Sequence, residues 1–148
     1  MNRIMICYYL VVVVYLGACN SQSHQEKIRS TSKEVISAII KNDAHKFESI
    51  LGRQNKTFEM IEYDVNRLNS LFNKYSINNN SEVIITNLYN DLGQQLIRVP
   101  ISGRDSTIPG LCLNLYFGPP QVMPLNKISG YEIIDGGKDP YEFRAITR

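Results

Sequence analysis

The chain has 148 residues, with 16 Lys and Arg against 14 Asp and Glu and a formal net charge of +2. That length suits one domain, and so even a balance argues against the basic footprint of a nucleic-acid binder. Three cysteines and two histidines, with no C-x-x-C pair and no ligand-like spacing, argue against a metal centre or a bound cofactor.

The first element reads as a leader. Asn2 and Arg3 give a positive start, and the stretch from Ile4 to Ala18 is 15 residues without a charge. A membrane-spanning helix needs about 20 apolar residues, so this run is short for a permanent anchor and fits the core of a secretory signal. It closes on Leu16-Gly17-Ala18-Cys19, and polar Asn20-Ser21-Gln22-Ser23 follows. The alternatives are an uncleaved anchor and a plain secretory signal in which Cys19 is accidental.

The Leu-small-small-Cys ending resembles the lipobox of bacterial lipoproteins. That resemblance implies that residues 1–18 are removed as a signal peptide. The thiol of Cys19 then carries two acyl chains, palmitate being the usual kind, and the new amine is often acylated as well. One acyl chain alone holds a protein only marginally, at about 0.8 kcal/mol per buried methylene, whereas two or three hold it stably. The bilayer is then the first partner. Enterobacterial members retained at the inner membrane carry Asp after the cysteine. Here that position is Asn20, which implies a cell-envelope location with the outer membrane favoured over the inner. With Cys7 lost in the leader and Cys19 lipidated, only Cys112 remains, so no intramolecular disulfide is expected.

Residues 19–29 are polar and aperiodic, and read as the lipidated cysteine plus a tether. Residues 30–148 read as one domain. Its first helix is expected near Ser30 to Ser32, whose hydroxyls are candidate caps, with Glu34 in the first turn and Val35, Ile36, Ile39 and Ile40 on one face. Asn42-Asp43 interrupts it. Asp43 then caps a short second helix carrying Ala44, Phe47, Ile50 and Leu51, which Gly52 stops. The third helix has the clearest pattern. Phe58, Ile61, Val65, Leu68, Phe72 and Tyr75 recur at steps of three and four. Glu59, Glu62, Asp64, Asn66, Arg67, Asn69 and Lys74 fill the opposite side.

After Asn78-Asn79-Asn80-Ser81 the period becomes alternating. Strands are expected at Val83 to Tyr89, Gln95 to Ile101, Leu111 to Phe117, Lys127 to Ile134 and Tyr141 to Thr147, with turns at Asn90 to Gly93 and Asp135 to Pro140. Pro100 marks an edge or a strand end. The fold class is therefore α+β, with about three N-terminal helices packed on a four- to five-stranded antiparallel sheet. The face of Leu111, Leu113, Leu115 and Phe117 is expected to meet Ile61, Val65, Leu68 and Phe72. Helix–helix–sheet order with an Asn-Asp hinge resembles the NTF2-like and cystatin-like envelope domains, over Ser32 to Leu51. That family usually inserts a strand among its helices, for which Gln54 to Phe58 is the candidate. The resemblance implies a pocket lined by the curved sheet.

No residue pattern dictates a chemistry, and no catalytic residue is assigned. Asp43 and His45 could orient an imidazole, but no nucleophile accompanies them, so His45 is read as a solvated helix residue. Cys112 lies between Leu111 and Leu113 and reads as a buried filler. Glu59, Glu62 and Asp64 read as a wet helix face. The candidate binding face comprises Arg98, Asn114, Tyr116 and Tyr131, since Tyr and Arg are enriched where proteins bind. The reading is an anchored envelope lipoprotein whose small domain binds a ligand or an envelope protein without catalysis. The alternatives are an NTF2-like enzyme with its pocket under the sheet and an envelope inhibitor or immunity protein. A catalytic site needs positioned acid, base or nucleophile, and none is evident on the strands.

Overall fold

A computed structural model describes residues 23–52, 56–90, 92–102, 111–119 and 121–134. Among the described residues, three helices precede a four-stranded antiparallel sheet: α1 (23–40), α2 (Ala44–Ile50), α3 (Phe58–Lys74), β1 (Ile84–Tyr89), β2 (Gln95–Pro100), β3 (Cys112–Phe117) and β4 (Gly130–Ile134). The strands lie in chain order, β1-β2-β3-β4, each antiparallel to its neighbours. The leader, Cys19, the Gln54 end of the extra strand candidate and the Tyr141 to Thr147 strand lie outside the described residues.

Helix α1 is longer than its apolar run of Val35 to Ile40 suggests. It is already helical at residue 23, so the expected tether is helical over 23–29. Ile28 is the reason: with Ser32, Val35 and Ile39 it forms one buried line at helical spacing. The expected cap hydroxyls therefore lie mid-helix and serve elsewhere. Ser32 donates back to the Ile28 carbonyl at 2.9 Å, and Thr31 donates to the Leu125 carbonyl at 2.8 Å, tying α1 to the loop before β4. The helix ends in a Schellman motif. Asn42 takes a left-handed φ of 53°, Asp43 N–H donates to the Ala38 carbonyl and Asn42 N–H to that of Ile39.

Asp43 caps α2 as expected, its carboxylate accepting from Lys46 N–H at 2.8 Å. Gly52 does not stop α2 by a left-handed turn. The chain leaves the helix in extended form at Leu51, which bridges to Ile128, and Gly52 N–H donates to the Ile128 carbonyl. A side chain at Gly52 would run into the end of Met123. Helix α3 buries Ile61, Val65, Leu68 and Phe72 and ends in a second Schellman motif. Ser76 is left-handed there, and Ile77 N–H donates to the Phe72 carbonyl.

The sheet packs one face on the helices. Ile97, Val99, Ile101, Leu111, Leu113, Leu115 and Phe117 share a buried cluster with the α3 stripe and with Ile28, Val35, Ile36, Ile39 and Phe47. The expected helix-on-sheet core is therefore the observed one. Pro100 ends an internal strand rather than marking an edge: it is the last residue of β2 and pairs with Cys112. Between Ile85 and Tyr89 the β1–β2 register shifts. There Thr86 Oγ1 donates to the Leu96 carbonyl at 2.6 Å, and the buried Gln95 amide donates to the Thr86 carbonyl at 3.0 Å.

Candidate functional site

The outward face of the sheet follows from register. Arg98 lies opposite Asn114 and Leu96 opposite Tyr116, while Asn114 lies opposite Glu132 and Cys112 opposite Ile134. Since side chains alternate along a strand, Arg98, Asn114, Tyr116, Cys112 and Glu132 project to the side away from the helices. Three of the four expected binding-face residues are thus neighbours. The fourth is not. Tyr131 pairs with Leu115, which points it to the helix side. Both faces of β4 carry mixed residues, Tyr131 and Ile133 on one and Glu132 and Ile134 on the other, so alternation alone could not assign its orientation.

Asn114 is the centre of the outward face and is fully buried. Its Oδ1 accepts from Arg98 Nε at 3.1 Å and faces Cys112 Sγ at 3.7 Å. Arginine has only donors, so the amide oxygen must be the atom turned toward it, and Nδ2 is turned away. Nδ2 is buried and makes no hydrogen bond. Such an unsatisfied donor costs about 1–3 kcal/mol. Around it, Arg98, Tyr116 and Glu132 are half-buried, and the Tyr116 hydroxyl donates to Glu132 Oε2 at 2.9 Å. Leu96, Cys112 and Ile134 are buried beside them. The face is a polar centre with a partly accessible rim. Cys112 fits the expected filler role, as its exposure is 2%.

Tyr131 belongs to a second polar cluster, which sequence reasoning missed. Its hydroxyl donates to Asp64 Oδ2 at 2.6 Å and accepts from Lys56 Nζ at 3.2 Å; Lys56 also donates to Asp64 at 2.7 Å. The Lys56 ammonium sits 4.3 Å from the Tyr131 ring centroid, and the Phe47 ring meets Tyr131 edge-on at 5.0 Å. Burial, then the hydrogen bond and charge of Asp64, push the Tyr131 hydroxyl well above the ordinary tyrosine range. Asp64 is accordingly not part of a wet helix face. The available signal was its position nearly two turns after the helix start, close in sequence to Lys56. Nothing local pointed to Tyr131.

His45 is exposed and stacks on Phe58 at 4.5 Å between centroids, while Asp43 is committed to its cap. Glu59 and Glu62 are exposed. Hydrogen bonds from its own N–H and from Thr57 hold the Glu59 carboxyl below its usual range. Among the described residues no group of three or more His, Cys, Asp or Glu is placed to hold a metal ion. No described helix is long and apolar enough to cross a membrane. A cleft of about 190 Å³ opens at the strand ends between His24, Tyr89, Gln95 and Phe117. Its walls are the start of α1 and the ends of β1, β2 and β3.

Comparisons with protein-family models, with curated proteins and with solved structures find nothing that matches this chain.

Proposed function

We propose that this chain is a lipid-anchored lipoprotein of a bacterial cell envelope, with the outer membrane favoured, whose α+β domain binds an envelope protein or a small ligand without catalysis. The anchor rests on Leu16-Gly17-Ala18-Cys19 after an uncharged run of signal-peptide length. The binding role rests on one observation: the buried Asn114 Nδ2, which lacks a partner at the centre of a face rimmed by Arg98, Tyr116 and Glu132. Folded proteins satisfy most buried polar groups, and an exception marks a strained or functional position. Asn114 is itself fully buried, so a ligand or partner would meet the half-buried rim of Arg98, Tyr116 and Glu132 and complete the face only by carrying a hydrogen-bond acceptor in past it. Arg98 and Glu132 give the rim one charge of each sign, which suits a polar partner better than a strongly charged one.

The anchor is tested by mass spectrometry of protein taken from its native membrane. Diacylated or triacylated Cys19 at the N-terminus is expected, and an unmodified chain beginning elsewhere refutes it. The binding role is tested by capture from the native envelope with the lipidated protein. The same partner should be lost with Arg98→Ala or Asn114→Ala and retained with Tyr63→Ala on the far side of α3. If all variants capture alike, the outward sheet face is not the binding surface. A captured enzyme whose activity falls on binding would make the chain an inhibitor or immunity protein.

The enzyme alternative gains no specific support. The helix side of the sheet is filled by Ile97, Val99, Leu113, Leu115 and Phe117. Its polar cluster of Lys56, Asp64 and Tyr131 is closed on itself.

A further inference from the structure

We propose that the end of the domain carrying Leu92 and Val122 rests on the bilayer surface and fixes the orientation in which the anchored domain is held. The inference builds on the anchoring of Cys19 and adds a second, protein-borne contact with lipid.

Four observations converge on this end. First, Ser23 is four residues after Cys19, so the start of the described part of α1 lies within about 14 Å of the lipidated residue, four steps of roughly 3.6 Å at most. Second, His24 in the first described turn of α1 lines the same cleft as Tyr89, Gly93 and Pro119. The start of α1, the β1–β2 turn and the end of β3 therefore share one end of the molecule. Third, the β1–β2 turn and the segment after β3 are adjacent, since a side chain built on Gly93 would lie 3.7 Å from the Pro119 ring. Fourth, the two most exposed large apolar side chains among the described residues are here, Leu92 at 74% and Val122 at 80%, and Tyr89, at 39%, lines the same cleft as Gly93 and Pro119.

Their exposure is built in. Asn90 Oδ1 accepts from the backbone N–H of Leu92 at 3.1 Å and of Gln94 at 2.9 Å, and Gly93 N–H donates to the Asn90 carbonyl. These bonds hold the turn closed, with Leu92 directed outward at its tip. Val122 is set in a turn of its own, its N–H donating to the Pro119 carbonyl. A solvated turn favours polar residues. Apolar tips at the end nearest an acyl anchor meet a different solvent, the boundary between headgroups and acyl chains. A tyrosine at the same end, Tyr89, suits that boundary, since a tyrosine pairs an apolar ring with a polar hydroxyl.

The chain contains no tryptophan, so single tryptophans report cleanly. Full-length lipidated Leu92→Trp, Val122→Trp and Tyr63→Trp proteins would be reconstituted into phosphatidylcholine vesicles bearing spin labels near the headgroup. Tyr63, at 69% exposure on α3, serves as the control position. A tip buried about 5–10 Å into the interface should be quenched at least about twofold more strongly at positions 92 and 122 than at position 63. Vesicle flotation of each protein is read in parallel. Flotation with equal quenching at all three positions, or with position 63 quenched most, overturns the proposed orientation and leaves the anchor standing. Failure of the wild-type protein to float overturns the anchor, and the orientation falls with it.

Discussion

On the helix side of the sheet Tyr131 donates to Asp64, accepts from Lys56 and is covered by Phe47; on the outward side Asn114 accepts from Arg98 and leaves its own amide donor without a bond. Both clusters pair a strand side chain with charge, and their strand residues, Asn114 on β3 and Tyr131 on β4, lie on neighbouring strands. The first is closed: each polar atom that is taken out of water finds another. The second is open by one donor. Closed networks rigidify a fold, whereas an open one carries a cost that a stable domain tolerates where something else gains from it. The contrast is between a closed polar cluster facing the helices and an open one on the face proposed above to bind a partner.

The largest expected effect lies on the closed side. Phe72 is 1% exposed in the helix–sheet cluster. Truncating such a residue costs about 3–5 kcal/mol, against a total of about 5–15 kcal/mol for a domain. Phe72→Ala should lower the urea midpoint of a form lacking the leader nearly to unfolding. A midpoint unchanged from wild type would mean that α3 is not docked on the sheet.

Tyr131→Phe comes next. It removes the hydroxyl that joins Asp64 to Lys56 and should cost about 1–2 kcal/mol at neutral pH. Burial and Asp64 raise the pKa of Tyr131, so the folded state favours its neutral form. The stability it contributes is complete below about pH 10, where an unfolded tyrosine titrates, and is lost as pH rises further. Denaturation of the two proteins between about pH 9 and 11 should therefore show the wild type losing its advantage. A constant gap across that range would contradict the buried hydroxyl.

A smaller effect, of about 1–2 kcal/mol or less, is expected for Asn69→Ala. The helical pattern places Asn69 opposite the apolar stripe, where a substitution would be near neutral. In the fold its amide donates to the carbonyls of Ile39 and Ile40 at 2.9 and 3.0 Å, capping the end of α1. Glu62→Ala, at an exposed position of the same helix, should stay within about 0.5 kcal/mol. Equal urea midpoints for the two variants would remove the α1–α3 tie.

A change smaller than that of Asn69→Ala is expected at the open cluster. Asn114→Ala deletes an acceptor for Arg98 and, with it, the unsatisfied donor. The two effects oppose each other, so stability should shift by less than about 1 kcal/mol even though Asn114 is fully buried. A loss above about 3 kcal/mol would mean that Nδ2 has a partner after all and that the site is as closed as that of Tyr131.

Local pattern was enough for much of this molecule. The steps of three and four in α3, the alternation of Leu111 to Phe117, the Asp43 cap and the change of period after Ser81 each concern residues close in sequence, and the fold class follows from them. The proposed lipid anchor likewise rests on a contiguous motif ending at Cys19. Tertiary structure decided the rest. Ile28 extends α1 because a neighbouring element covers it. Tyr131 faces the helices because β4 pairs it with Leu115, and its mixed residues leave that register open to either choice. Asn69 and Ser32 find their acceptors on backbone that no side-chain period reports. Leu92 and Val122 share an end with the start of α1 through a turn packed on Pro119. Periodicity fixes which side of an element is apolar, because burial repeats with the geometry of the backbone. Which polar atoms meet across that boundary depends on contacts between residues far apart in the chain, and those exist only once the elements have packed.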